Sequence, residues 1–456
     1  MFIYNGLSMK SPCRRRCLGI AAGFVGLLAL VPGAWAETVF LPVSDGAICV
    51  DTDNPGPYAA SAMPPCDTAG AKAAGVTFNV YYTDVEQHTG IGFDDVNLGA
   101  QRRACVVEVL AYISGILRLP DRSCDVRFNR SFVDGTASYY EGGAYFSQVS
   151  GFANGYAFEH IWNNHDMSTQ LDDIFITMDF GWPWHIGAGS PSAGQLDFRA
   201  ALLQVLTQGL GLVTLSKSDG SSKLGTVMGY SVWDSLLETG QGNRLWLGSP
   251  PQFQGVAANL TGSAGGVFFA GAKTIEFNEG KPDVYTPAVF NSKKSLGFWN
   301  KTLGVAMKPA LVPGESVREY GLIDRAALYD IGYTSIDMPL TFVLAPRGGW
   351  FSVGDSLTLS VRVVGAVGAV SYQWQKDGSD YPGATSAAFT IEHLTPGHEG
   401  VYTCIATDAS KASYTSPPAI VKVVPPGQLP AMGIIGLCLV AAACILAGAL
   451  IILRRE

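Results

Sequence analysis

The sequence predicts a multidomain protein: an α+β domain, then an all-β sandwich, then one C-terminal transmembrane helix. Three observations predict it. Strand-like and helix-like apolar periods are set in loop-rich text as far as Ser335. Short alternating runs such as LTLSVRV and SYQWQKDG take over near Pro339 and continue to about Val424. Finally, Met432 to Leu453 is an unbroken apolar stretch, about the ~20 residues that a helix needs to cross a hydrocarbon core.

In chain order, residues 1–36 have the layout of a secretory signal. Lys10, Arg14, Arg15 and Arg16 precede an apolar run from Leu18 to Val31, and Ala34-Trp35-Ala36 supplies small residues for cleavage, leaving Glu37 first. The rival, an uncleaved anchor, suffers from an apolar run that is short for a bilayer. At the other end, Pro425 to Ala431 is a linker, and Arg454 and Arg455 after Leu453 mark the cytoplasmic side. The chain is therefore expected to be exported and membrane-anchored, with Glu37 to Pro430 facing the periplasm or cell exterior. Without the signal it carries 26 basic against 38 acidic residues, net −12, a surface that repels nucleic acid.

Cys13 and Cys17 leave with the signal, and Cys438 and Cys444 fall in the apolar stretch. An oxidising compartment favours disulfides among the rest. Proximity suggests Cys49 with Cys66 and Cys105 with Cys124, although four cysteines allow three connectivities. Cys404 is expected to stay a buried thiol. A four-cysteine zinc site is the rival, against which stands the lack of close CxxC pairs.

Within residues 37–335, Gly75 to Thr83 reads as a strand and Asp95 to Leu119 as a helix stopped by Pro120. Asp173 to Phe180 reads as a second strand. Asp197 is placed to cap a helix whose Phe198, Ala201, Leu202, Val205 and Leu206 keep helical spacing.

From Leu196, LDFRAALLQVLTQGLGL resembles the active-site helix of secreted bacterial zinc metallopeptidases related to metzincins, so the first domain is expected to be zincin-like. Four later segments resemble the family in the same order: Tyr230 to Leu237, Ser295 to Asn300, Ala306 to Pro309 and Ala327 to Tyr333. In that register Gln204 and Gln208 replace two histidine ligands, Val205 the catalytic glutamate, and Phe298 a further histidine. In an alternative register the third ligand would be Thr214. Neutral amides are poor zinc donors and Val205 cannot act as a base, so no catalytic residue, metal or cofactor is assigned. Glu159, His160, His165 and Asp166 are the one other cluster of possible donors, at a spacing that does not put both rings on one helical face. Asp172 with Asp173, being adjacent, are expected to point apart.

In residues 339–424, Trp374, about thirty residues before GVYTC, resembles an immunoglobulin-like domain with a core tryptophan and a tyrosine corner at Tyr402. Val361 stands where the first cysteine would be, so Cys404 is expected to pack on Trp374 and Val361. His398 replaces the aspartate usual before that corner. The tail GQLPAMGIIGLCLVAAACILAGALIILRRE resembles bacterial cell-surface sorting signals, with Met432 where the sortase motif has threonine.

These readings lead to an exported binding or interaction protein, a metallopeptidase-like pseudoenzyme on an immunoglobulin-like stalk, with a protein or glycan as its ligand. The alternatives are a hydrolase using an unrecognised site and a structural envelope component.

Overall fold

The computed structural model describes residues 38–42, 49–50, 67–69, 75–130, 140–225, 228–300 and 305–427. The expected secretory signal, residues 1–36, and the expected membrane helix, Met432 to Leu453, lie outside them. Among the described residues no helix is long and apolar enough to cross a membrane. The 19-residue helix Gly99–Leu117 is interrupted by Arg102, Arg103 and Glu108. The expected membrane attachment through a C-terminal helix is corrected on this finding, since the described residues give it no support.

The chain divides into two compact units, Met1–Asp337 and Met338–Glu456. The large unit is built on a seven-stranded mixed sheet. Its strands are β1 (Thr38–Pro42), β2 (Cys49–Val50), β3 (Asp67–Ala69), β4 (Thr77–Tyr82), β5 (Ser123–Arg130), β6 (Tyr140–Ser147) and, past the short β7 (Gly151–Ala153), β8 (Ile174–Met178). They lie in the order β2-β1-β6-β8-β5-β4-β3. β4, β5 and β8 run parallel, and β6 is antiparallel to β8. Phe78, Val80 and Tyr82 on β4, and Ile174, Ile176 and Met178 on β8, are the buried alternate positions, as expected for strands covered by helices.

The helices of this unit are α1 (Thr83–Glu86), α2 (Gly99–Leu117), α3 (Tyr156–Asn163), α4 (Phe198–Gly209), α5 (Val232–Ser235), α6 (Ala272–Asn278) and α7 (Leu322–Asp330). α2 is the crossover that parallel pairing of β4 with β5 requires. Asp95 Oδ1 accepts from the amides of Asn97 and Leu98 at 2.9 and 2.8 Å just before it starts. It ends at Arg118, in the left-handed region at φ 49°, two residues before Pro120. α4 lies across β6 and β8. A Cβ added at Gly142 of β6 would stand 2.0 Å from Val205 Cγ2, and one at Gly209 would stand 2.6 Å from Ile174 Cγ2. Only glycine allows helix and sheet to approach so closely. Farther along, Trp233, Phe269 and Trp299 form an aromatic knot, with Trp233 and Phe269 stacked at 4.4 Å.

The second unit is a β-sandwich. One sheet joins Gly349–Ser352, Ala419–Val424, Gly400–Thr407, Ser371–Lys376 and Ser379–Asp380, with Ser413–Thr415 on the Gly400–Thr407 edge. Leu357–Ser360 pairs with Ala388–Ile391, and Thr341–Leu344 with Arg362–Val364. Leu357, Leu359, Val361, Trp374, Tyr402, Cys404 and Val421 meet in its core.

Candidate functional site

The residues of α4 explain its placement. Asp197 caps it, its Oδ1 accepting from the Ala200 amide at 3.0 Å. The buried Asp197 carboxylate also accepts from Arg318 Nε at 2.8 Å and Ser316 Oγ at 2.9 Å. Along the helix, Gln204 Nε2 donates to the carbonyls of Ala306, at 3.3 Å, and Lys308. Val205 is fully buried against Gly142. Gln208 is buried with its Nε2 unpartnered. Phe298 is buried and Thr214 Oγ1 donates to Asp234 Oδ1 at 2.6 Å. These positions thus carry amide-to-backbone bonding and apolar packing. Beyond α4, a cavity of about 290 Å³ is lined by Ser216, Lys217, Ser218, Lys223, Phe290 and Ser292. Lys223 Nζ donates to Thr214 O at 3.1 Å, and burial pulls its ammonium down to about 8.

The polar cluster with the most developed geometry lies elsewhere. Among the described residues, Asp125, His160 and Asp173 offer three possible metal-donor atoms within 4.8 Å of one another. Parallel pairing of β5 with β8 creates the cluster, the Asp125 amide donating to Asp173 Oδ2 at 2.8 Å. α3 adds His160, whose Nδ1 lies 2.7 Å from the same Asp173 oxygen. His160 Nε2 lies 3.2 Å from Ser123 Oγ. Asp125 Oδ1 accepts from Asn79 Nδ2 at 2.8 Å. Burial pulls the His160 imidazole down, but the hydrogen bond and charge of Asp173, with Asp125 and Asp166, outweigh it and hold the ring above its ordinary value. Burial in turn raises the Asp173 carboxyl, against the hydrogen bond from His160.

His160 therefore pairs with Asp173 and not with His165, whose backbone amide instead donates to Glu159 O at 3.0 Å. The adjacent acids do separate: Asp172 takes Arg127 Nε at 2.6 Å while Asp173 takes His160. Ser123 and Asp125 belong to no motif. The one trace of the cluster in the sequence is a histidine thirteen residues before Asp173, the second acid of a pair that precedes a β-branched strand.

The disulfide expected between Cys105 and Cys124 is corrected: both are buried free thiols. Their surroundings differ. Cys105 Sγ donates to Ile186 O at 3.5 Å and sits near Arg199 and Arg318, whereas Cys124 lies among Asp173, Asp125 and Asp172. Burial raises both thiols, Cys105 to about 11, which makes them unreactive. Cys66 and the Cys49 side chain lie outside the described residues.

In the second unit Trp374 pairs across strands with Cys404 and donates its Nε1–H to Ser386 O at 2.9 Å. Tyr402 OH donates to His398 O at 2.9 Å, which is the tyrosine corner. The corner survives the His398 substitution because His398 Nδ1 accepts from the Thr395 amide at 3.0 Å and holds the turn. Cys404 is a buried free thiol. Residues 342–408 match the family described as Immunoglobulin domain. They form an immunoglobulin-like domain.

Similar proteins of known identity include the advanced glycosylation end product-specific receptor of Mus musculus, 31% identical over 98 residues, which are 21% of this chain and 24% of the receptor. The decoration protein of Escherichia phage T5 is 38% identical over 72 residues, 16% of this chain and 44% of that protein. The chain thus spans between about a fifth and under half of the curated relatives it matches. Among solved structures, the N-terminal four Ig domains of Dscam1 isoform 1.9 share 20% identity over 20% of this chain and 22% of that one, at a TM-score of 0.18. Duf (Kirre) D1 shares 20% identity over 19% of this chain and 99% of that one, at 0.17. None of these proteins lends support to the metallopeptidase resemblance of the large unit. These likenesses cover a small part of the chain, and a fold by itself does not assign a function to the whole.

Proposed function

We propose that the chain is an exported interaction protein whose immunoglobulin-like domain presents a protein-binding face, carried with a large unit built on a metallopeptidase-like scaffold. The observation that carries this is a row of exposed apolar side chains on one sheet. Val401 pairs with Ile420, and Trp350 pairs with Lys422, two residues from Ile420 and therefore on the same face. Trp350, Ile420 and Val401 are 54%, 59% and 40% exposed. Lys422 and Glu399 form an ion pair of 2.5 Å close by. An apolar patch with a tryptophan and a charged rim is the composition of a protein-binding surface. The names of the mouse and phage relatives, a receptor and a decoration protein, support an interaction role, and the signal pattern of residues 1–36 supports export.

Crosslinking of the whole chain to surface proteins of its native cell, with mass spectrometry of the linked peptides, tests the proposal. Linked peptides should concentrate on Gly349–Ser352, Gly400–Thr407 and Ala419–Val424. They should disappear in a Trp350→Ser, Ile420→Ser variant, since exposed substitutions usually change stability by less than ~0.5 kcal/mol. Crosslinks that survive both substitutions would reduce the domain to a spacer.

The scaffold component rests on α4, where Gln204 and Gln208 stand four apart above the β6–β8 pair. Substituting Gln204→His, Gln208→His and Phe298→His together should create a zinc site, read by metal analysis after dialysis. A folded triple variant that gains no zinc would remove the metallopeptidase part and leave the interaction role standing.

A further inference from the structure

We propose that Ser123, His160 and Asp173 form a nucleophile–base–orienter chain that hydrolyses small, uncharged carboxylic esters. This activity is separate from the interaction role and uses none of the residues of α4. Three observations converge on it. The base lies within hydrogen-bond reach of the nucleophile, Ser123 Oγ to His160 Nε2 being 3.2 Å. A third group orients the base, His160 Nδ1 to Asp173 Oδ2 being 2.7 Å. Exposure then grades along the chain: Asp173 is 1% exposed, the His160 side chain 13%, and Ser123 is half-buried. A buried carboxylate, a sheltered imidazole and a reachable hydroxyl make up the arrangement by which a serine is activated.

A cation site is the rival use of the same cluster. Both His160 nitrogens are already engaged, Nδ1 by Asp173 and Nε2 by Ser123, and Asp125 Oδ1 holds Asn79. The Asp125 amide also fixes the Asp173 oxygen that faces the ring. This bonding sets the tautomer with hydrogen on Nδ1 and leaves the Nε2 lone pair for the serine proton. Asp172 is paired with Arg127, and Asp125, Asp166 and Asp173 leave the surroundings of the ring acidic, so an anionic substrate is repelled and an uncharged ester is not.

In the first step Ser123 Oγ bonds to the acyl carbon as its proton passes to His160 Nε2. The alcohol oxygen leaves with that proton, and an acyl-serine remains. Water then attacks the same carbon and gives a proton to His160. The carboxylic acid departs and the proton returns to Ser123 Oγ. Asp173 touches no reacting atom and acts as a positioning residue.

The test uses the full chain with an alkyl fluorophosphonate, which loses fluoride as a serine oxygen bonds to phosphorus, together with p-nitrophenyl acetate. Peptide mapping should find the phosphonyl group on Ser123, and ester hydrolysis should pass many turnovers per chain. Ser123→Ala should abolish both, and His160→Gln should lower turnover roughly 10²-fold, the lower end for a general base. Asp173→Asn should lower turnover and move the pH midpoint of hydrolysis toward the ordinary imidazole value, a shift that a merely structural role would not produce. An unlabelled Ser123 in a chain folded by circular dichroism would overturn the proposal, whatever the variants do. So would turnover unchanged in Ser123→Ala. Stoichiometric Zn²⁺ binding that blocks labelling would assign the cluster to a cation instead and overturn it as well.

Discussion

The large unit and the immunoglobulin-like unit bury different kinds of group. In the large unit Asp84, Asp172, Asp173, Asp234, Asp324, Lys223 and Lys308 are all buried. In the second unit, among the described residues, the buried polar side chains are Asp408 and Ser416, and the centre is Trp374 against Tyr402, Cys404 and Val361. At its apolar positions a core of the second kind tolerates volume-conserving apolar substitutions. A core of the first kind loses stability when a bonded donor or acceptor is stripped of its partner, because a bond lost in low dielectric is not replaced by water. The large unit is therefore the one whose fold a single polar substitution breaks.

Asp324 gives the largest expected effect. Its carboxylate accepts from Trp299 Nε1 at 2.8 Å and from the amides of Ala306 and Gly321, each at 2.9 Å. Asp324→Ala strands these donors inside the protein and should cost the large unit about 3–5 kcal/mol, measured by urea unfolding. The second unit should unfold at its former midpoint. A joint shift of both transitions would dissolve the contrast between the units.

Lys223 sharpens the contrast through pH. Burial lowers its ammonium from 10.5 to about 8, so the folded state binds this proton less readily than the unfolded chain. The associated stability is fully present above pH 10.5 and is lost as pH falls through 8, a span of about 3 kcal/mol. The stability difference between wild type and Lys223→Met should vary by that amount between pH 7 and 10.5. A flat difference would place the Lys223 ammonium in water.

In the second unit, Val361→Cys asks whether volume alone holds the sandwich. Val361 and Cys404 are both buried in one core, so the new thiol should close a disulfide worth about 2–4 kcal/mol, read by thermal unfolding with and without reductant. A variant in which both thiols stay free would show that the core has settled around the valine in a geometry no disulfide fits. The smallest effect is expected at Gln208, where the amide is buried without a partner for Nε2. Gln208→Met should be neutral or stabilise by up to ~1 kcal/mol, and a loss above about 1 kcal/mol would mean that the amide has a partner after all.

Elements with a strong period or cap could be read from the text alone. Strand β4, helix α2 with its stop before Pro120, and the Asp197 cap of α4 are local events, each set by residues within a few positions of one another. The run from Tyr372 to Cys404 marked the sandwich core because a tryptophan and a tyrosine corner have few other uses at that separation. Local text misled at Cys105 and Cys124. Their nearness along the chain suggested a bond, but α2 carries one thiol toward Arg199 and Ile186 while β5 carries the other toward Asp173.

The sequence by itself determined β4, α2, the Asp197-capped α4 and the sandwich, because these depend on residue identity and short-range period. Only the tertiary structure decided which polar groups meet. Ser123 stands on β5, His160 on α3 and Asp173 just before β8, and parallel pairing of β5 with β8 is what brings them together. Hydrogen bonds need heavy atoms within about 3.5 Å and near-linear geometry, so a chain of proton-sharing groups exists only once the sheet register has been set.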